Sequence, residues 1–480
     1  MKKNDVFLIR NIFKSVTGKY SVYFVQMFSV MLYARVFEPE TFGIIAGVQV
    51  LVTFFMMFAE MGIGPALIAQ KNISSRERDG IYTVTFILGL LISVIFLLTG
   101  DILNTFYSRE EYTDIVPFIS ITIVLSLLNV VPRSSLVKDV KFIEISKNEI
   151  LSEVLAIPFV FLLLKFVDSH VALIFRFTAM SSFRLILNLI SSKKTEQGCP
   201  SFGLYLSAIK PLVRFSSYQL LFNFVNYFTR NLDNILVGKF LGMTVLGVYE
   251  KSYVLMSYPL QLLTFSVSPA IQPTLTQYRD DVVKIRESTE FLVKLLSVLG
   301  AGVGSLMYLQ SEAIVLLLFG NAWIEVTPVI QILALSVPAQ VIYCACGGVF
   351  QAMHRTDLLF KSALCQMILT VPLIILGVIN GSLINLAWLM VIAHSVSLVI
   401  YFYNLYVIAL SSSMLKFFKN MITGVFLFFA LLGMGLWLIE FVAEYNKWIV
   451  FSINTILYLI ITTIVAYMTV SGRFFNKNRK

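Results

Sequence analysis

Apolar residues fill this chain in blocks of about 20, each long enough as a helix to cross a hydrocarbon layer about 30 Å thick. Fourteen such blocks are readable, at 15–37, 42–69, 80–100, 114–137, 146–166, 168–190, 211–238, 243–274, 288–309, 327–350, 358–379, 382–409, 416–439 and 447–470. The block at 42–69 exceeds one crossing and reads as broken. No loop between blocks exceeds about 20 residues. The pattern predicts an all-α, polytopic membrane protein of about 14 transmembrane helices.

A second pattern lies over the first. Residues from 35 to 70 reappear 204 positions later: Arg35 falls on Lys239, Gly43 on Gly247, and Pro65-Ala66-Leu67 on Pro269-Ala270-Ile271. Tyr23 and Arg10 fall on Tyr227 and Arg214 at the same offset. Further on the offset becomes 211, with Asp101 and Pro117 matching Glu312 and Pro328. Six crossings separate the copies, so both point the same way, as parallel repeats do in secondary transporters. The expected organisation is a six-helix lobe at 1–190, a cytoplasmic linker at 191–210, a second six-helix lobe at 211–410, and two additional helices with a basic tail at 411–480.

Composition names the solvent. Hydrophobic residues make up 58% and charged residues 13% of the 480, against about 25% charged in soluble domains. Of the 37 Lys and Arg, 27 fall in the two tails and the even-numbered loops, which the positive-inside rule places in the cytoplasm with both termini. The opposite loops hold Arg35, Arg109, Lys165, Lys239 and Lys447 among clustered acids. Topology and anionic lipid explain the net charge of +10, and no nucleic-acid partner is needed. The first apolar block is too long, and too interrupted by Lys14 and Lys19, for a removable signal peptide.

Candidate chemistry is sparse. Cys199, Cys344, Cys346 and Cys365 lack metal-ligand spacing, and His170, His354 and His394 are scattered, so neither a metal site nor a catalytic cluster is expected. Gly300, Gly302 and Gly304 sit inside an apolar helix and read as a close-packing stripe. Polar residues concentrate on the seventh helix, where Gln219, Asn223, Asn226, Arg230, Asp233 and Asn234 recur at three- and four-residue spacing along one face. The first helix carries Lys19, Tyr23, Gln26 and Ser29 on the corresponding face. Charges at mid-membrane cost about 2.5–3.5 kcal/mol each on insertion scales, so these faces are expected to line a water-filled cavity. A self-neutralising Arg230–Asp233 pair is the competing reading. Lys251, beside Glu250, is either a cavity residue or a snorkelling one. Arg35, Lys239, Arg176 and Arg184 are either interfacial anchors or contacts to a ligand headgroup.

At these residues the chain resembles a known family. Arg230-Asn231-Leu232-Asp233-Asn234-Ile235-Leu236-Val237-Gly238, then Leu246-Gly247-Val248-Tyr249, Tyr258-Pro259-Leu260 and Ser268-Pro269, together with Phe42-Gly43 and Lys138-Asp139-Val140-Lys141-Phe142, look like the polysaccharide transporter family of lipopolysaccharide and exopolysaccharide biosynthesis flippases. That family belongs to the multidrug, oligosaccharidyl-lipid and polysaccharide exporter superfamily, whose members have twelve to fourteen helices in two six-helix lobes. The resemblance implies a flippase, and not an enzyme, moving undecaprenyl-diphosphate-linked oligosaccharide across the bacterial inner membrane by alternating access. It implies membrane lipids as surroundings, a polysaccharide polymerase and chain-length machinery as partners, and no cofactor beyond coupling to H+ or Na+. On this reading Arg230 meets the diphosphate and the Asn and Gln side chains meet sugar hydroxyls. A small-molecule exporter of the same superfamily and a lipid II flippase for peptidoglycan remain alternatives. A polymerase or ligase would require a long outer loop.

Overall fold

The computed structural model describes residues 3–60, 63–70, 73–205, 227, 231–279, 281–441 and 447–477. All regular structure among the described residues is helical. The order is α1 (Lys3–Ala34), α2 (Pro39–Glu60), α3 (Ile63–Ala69), α4 (Ser75–Leu97), α5 (Gly100–Tyr107), α6 (Tyr112–Leu128), α7 (Val130–Lys138), α8 (Phe142–Leu163), α9 (Ser169–Ser192), α10 (231–240), α11 (Met243–Thr276) and α12 (Val282–Leu309). There follow α13 (Ser311–Leu318), α14 (Val326–Ala334), α15 (Val337–Cys344), α16 (Cys346–Ala352), α17 (Thr356–Ile379), α18 (Leu383–Phe402), a π-helical turn at Tyr403–Ala409, α19 (Met414–Phe441) and α20 (Lys447–Lys477). Contacts divide the chain into two units, Met1–Gly247 and Val248–Lys480.

Among the described residues nine helices have the length and apolarity to cross a membrane, or ten if the pair α14 and α15–α16, bent by 53°, is one span. The protein is thus a polytopic all-α membrane protein. Nine or ten of the fourteen predicted blocks are among these spans. Helix α8 is 22 residues long but carries Lys147, Glu149 and Glu153, and α1 carries Lys14 and Lys19. The predicted seventh helix at 211–238 lies mostly outside the described residues. The block at 42–69 is broken as expected, into α2 and α3.

Element boundaries repeat as the sequence does. Helices α2 and α11 begin 204 residues apart, and the eight-residue helices α5 and α13 begin and end 211 apart. Within the first unit the two copies of the Gly43 motif cross. A Cβ on Gly43 would lie 1.7 Å from the Met243 carbonyl oxygen, and one on Gly247 would lie 1.9 Å from the Pro39 carbonyl oxygen. Pro39 and Met243 are themselves repeat mates, so the crossing is symmetric. Tyr112 Oη donates to Met243 Sδ at 3.5 Å beside it. Only glycine lets the backbones approach this closely; without a hydrophobic drive between helices in lipid, such close packing is what holds them together.

The segment that follows α9 is strapped to the first unit. Ser201 donates from its N and Oγ to the Asp79 carboxylate at 3.0 and 2.8 Å, and Gly203 N donates to Thr83 Oγ1 at 2.8 Å. Phe202 packs at a tilt on Tyr82 and edge-on to Phe86, with ring centroids 5.2 and 5.3 Å apart. In the second unit the glycine stripe of α12 packs on two sides. Gly300 and Gly304 meet Pro338, while Gly302 meets Thr462 of α20. Gly424 of α19 presses on the Ser297 backbone of α12. The two C-terminal helices therefore dock on α12, around Val298, Ala301, Leu427, Leu431 and Tyr458.

Replacing Gly43 by Ala forces the α2–α11 crossing apart and should cost about 1–3 kcal/mol. A thermal melt of the purified protein in detergent checks this. Gly433→Ala, where an added Cβ meets nothing within 4 Å, should leave the midpoint unchanged or slightly raised.

Candidate functional site

A cavity of about 310 Å³ opens inside the first unit, walled by Ser126, Asn129, Arg133, Glu149, Ser181 and Arg184, with Met56 as an apolar wall. Local sequence explains how these side chains arrive. Helix α6 gives way to α7 at Asn129, which places Ser126, Asn129 and Arg133 in one row at three- and four-residue spacing. The chain then reverses sharply into α8. Val140 takes φ of 58° at this reversal, a left-handed conformation costly for a β-branched residue. Three bonds hold it there. Lys141 N donates to the Leu136 carbonyl at 2.9 Å, Lys138 Nζ to the Gln70 carbonyl at 2.7 Å, and Glu196 N to Asp139 Oδ2 at 2.9 Å. Lys141 Nζ adds a bond to the Lys194 carbonyl. The Lys138–Phe142 motif is thus the staple that turns α7 onto α8 and brings Glu149 opposite Arg133.

Behind the cavity a chain of buried amides locks three helices. Asn188 Nδ2 donates to Asn129 Oδ1 at 2.8 Å; Asn148 Nδ2 donates to Asn188 Oδ1 and to Ser191 Oγ, both at 2.9 Å. Every link joins α6–α7, α8 or α9, and in hydrocarbon a half-satisfied network would be costly.

The charges divide into a closed pair and an open group. Arg176 donates from Nε and Nη2 to Glu153 Oε1 at 3.1 and 2.5 Å and lies 4.7 Å over the Tyr33 ring. The Arg176 and Glu153 charges are committed to each other. Arg133 and Glu149 stand 3.6 Å apart, longer than the about 2.7–2.9 Å of a charge-assisted hydrogen bond. Arg184 Nε is enclosed and has no hydrogen-bond partner among the described residues. The cavity therefore holds two guanidiniums against one carboxylate, one of them without a bonded counter-charge. Guanidinium forks match phosphate and carboxylate oxygens, and Ser126 and Ser181, hydrogen-bonded to each other through their hydroxyls at 3.4 Å, leave one O–H free to donate. Such a cavity can hold a hydrated anion.

Of the residues singled out in the sequence, Gln219, Asn223, Asn226 and Arg230 lie outside the described residues, so their shared face lies there too. Asp233 is buried, and Asn234 N donates to its Oδ1 at 2.9 Å. Tyr23 and Gln26 are half-buried on α1. Lys251 is buried and pairs with Glu250 at 2.7 Å. Arg35 is exposed at the end of α1, and Lys239 is tied to the Phe106 carbonyl with its ammonium 5.1 Å over that ring. Arg176 and Arg184, grouped together in the sequence, have opposite fates: one is paired and the other opens into the cavity. The sequence reading missed Asn129, Glu149 and Ser181 and counted Arg133 as a loop charge. The available signal was the polar spacing from Ser126 to Arg133.

These features define a polytopic helical membrane protein with a cationic cavity inside one helical unit. The chain belongs to the polysaccharide biosynthesis protein family, whose model matches residues 32–328, more than half its length. It is 26% identical over 347 residues to the teichuronic acid biosynthesis protein TuaB of Bacillus subtilis (strain 168), covering 72% of this chain and 71% of TuaB. It is 24% identical over 396 residues to the succinoglycan biosynthesis transport protein ExoT of Rhizobium meliloti (strain 1021), covering 82% of this chain and 78% of ExoT. Its fold is similar to that of the lipid II flippase MurJ in an inward closed conformation, with a TM-score of 0.74, 13% identity, and coverage of 97% and 99% of the two chains.

Removing Glu153 alone, as Glu153→Ala, strands Arg176 in a buried position and should destabilise the protein by about 3–5 kcal/mol. The double change Glu153→Leu with Arg176→Met should recover most of that loss. Thermal midpoints of the three proteins test both statements.

Proposed function

We propose that this protein is a flippase that moves undecaprenyl-diphosphate-linked oligosaccharide repeat units from the cytoplasmic to the outer leaflet of the bacterial inner membrane, for surface polysaccharide synthesis. The observation that carries the reading is the open guanidinium group of the first unit, Arg184 with Arg133. It lies at the end of α6–α9 richest in Lys and Arg, which the positive-inside rule assigns to the cytoplasm. A lipid-linked diphosphate arrives from that side. Its anionic headgroup needs a solvated cationic seat, while the polyprenyl tail stays in lipid. Family membership supports the substrate class, and the fold shared with MurJ supports a translocator over an enzyme.

On this reading fourteen helices form two parallel six-helix lobes and a C-terminal pair, and the lobes alternate access to the two leaflets. The face of Gln219, Asn223, Asn226, Arg230, Asp233 and Asn234 lines the path between lobes, with Tyr23, Gln26 and Lys251 contributing. An H+ or Na+ gradient drives the cycle, and the polymerase and chain-length machinery take the product. A small-molecule exporter of the multidrug class would share the fold as well. A lipid II flippase shares the fold too, but TuaB and ExoT are named for teichuronic acid and succinoglycan biosynthesis, which favours the polysaccharide reading.

Deleting the gene should make lipid-linked oligosaccharide accumulate on the cytoplasmic leaflet and surface polysaccharide disappear, with growth maintained; lethality would point to lipid II instead. In the deleted strain, Arg184→Ala and Arg230→Ala should each fail to restore polysaccharide while reaching the membrane at normal levels. Full restoration by Arg184→Ala would sink the cavity assignment.

A further inference from the structure

We propose that Glu149 is the proton-carrying partner of the anion in this cavity: a diphosphate diester seats between Arg184 and Arg133 only as Glu149 takes up a proton. The inference rests on the cavity reading above and adds a charge balance to it. With Glu149 ionised the wall carries two positive charges and one negative, a net charge of +1. A phosphate diester, at −1, is neutralised by that wall as it stands. A diphosphate diester, at −2, leaves one negative charge uncompensated in a site of low dielectric, where such a charge is expensive. Protonating Glu149 raises the wall to +2 and restores neutrality. The neutral carboxyl also becomes an O–H donor toward a phosphoryl oxygen, where the carboxylate could only repel it.

Geometry selects Glu149 for this role over its neighbour one turn along α8. Glu153 is fixed by Arg176 at 2.5 Å, so its charge is committed. Glu149 stands 3.6 Å from Arg133, makes no hydrogen bond to Arg184, and borders the open space directly. The groups around it are few. Helix α7 contributes Arg133, while Lys138 of the same helix is occupied by the Gln70 carbonyl. Helix α9 contributes Arg184 and the committed Arg176. Helix α1, which crosses α8 where Gly18 meets Ser146, brings Lys19 and Tyr23 near this level, with Lys19 exposed. On α8 itself Lys147 and Glu153 flank it. Glu149 is the carboxylate whose protonation state the arriving anion can change without breaking a hydrogen bond.

The full-length protein in lipid nanodiscs tests this with two probes, farnesyl-diphosphoryl-N-acetylglucosamine and farnesyl-phosphoryl-N-acetylglucosamine. Calorimetric titration in buffers of different ionisation enthalpy counts the protons taken up. Binding of the diphosphate should take up to about one proton, with affinity falling about ten-fold per pH unit where free Glu149 is ionised, while the monophosphate should take up none. Glu149→Gln should bind the diphosphate with no proton uptake and a flat pH profile, and Glu149→Asp should keep the uptake. Undiminished uptake in Glu149→Gln, or diphosphate binding to the unmodified protein without uptake, overturns the proposal. The cavity reading fails separately, if the unmodified protein binds neither probe or if Arg184→Gln binds both as tightly as the parent.

Discussion

Hydrocarbon supplies no hydrogen bonds, so every polar group taken into it must find its partner within the protein. That constraint organises the first unit. Asn129, Asn148 and Asn188 satisfy one another across three helices, and Arg176 and Glu153 close on each other under the Tyr33 ring. Ser120 Oγ and His170 Nε2 are also buried without a hydrogen-bond partner among the described residues, but Arg184 is the one such group that carries a guanidinium charge and borders the cavity. Its guanidinium faces a cavity in place of a hydrogen-bonded partner, and the amide network packs behind that cavity. The rigid amides and the open charge are two sides of one arrangement, since an anion site in a membrane must be held open by something that does not itself need the anion.

Close backbone packing provides the second organising force. Glycines sit wherever helices approach most tightly: Gly43 against Gly247, Gly300 and Gly304 against Pro338, Gly424 against Ser297. The first of these crossings joins the two copies of the repeat at equivalent residues. The start of α11 is thereby built into the unit that ends at Gly247, although it belongs by sequence to the second copy. A duplicated chain gains such contacts naturally, because a motif that packs closely against a neighbour is available twice, facing its own copy.

Much of the architecture was legible beforehand. The apolar blocks anticipated α4, α9, α12 and α17–α20 within a few residues, and the offsets of 204 and 211 reappear as equal helix starts. The glycine stripe of α12 packs as its spacing implied. The site was less legible. Arg184 was noticed but grouped with Arg176, and Glu149 was not noticed, because charges near helix ends look like loop charges until the turn at Val140 shows where the helices begin.

By itself, then, the sequence determined the solvent, the helical class, the duplication and the places where backbones can touch, because these follow from local apolarity, from periodicity and from residue size. Only the tertiary structure decided which charges meet. Helical spacing tells which residues share a face of their own helix, but the neighbour that face meets depends on how several helices pack at once. Arg176 met a carboxylate at bonding distance and Arg184 met a cavity; eight residues apart on one helix, nothing in the chain near either distinguishes them.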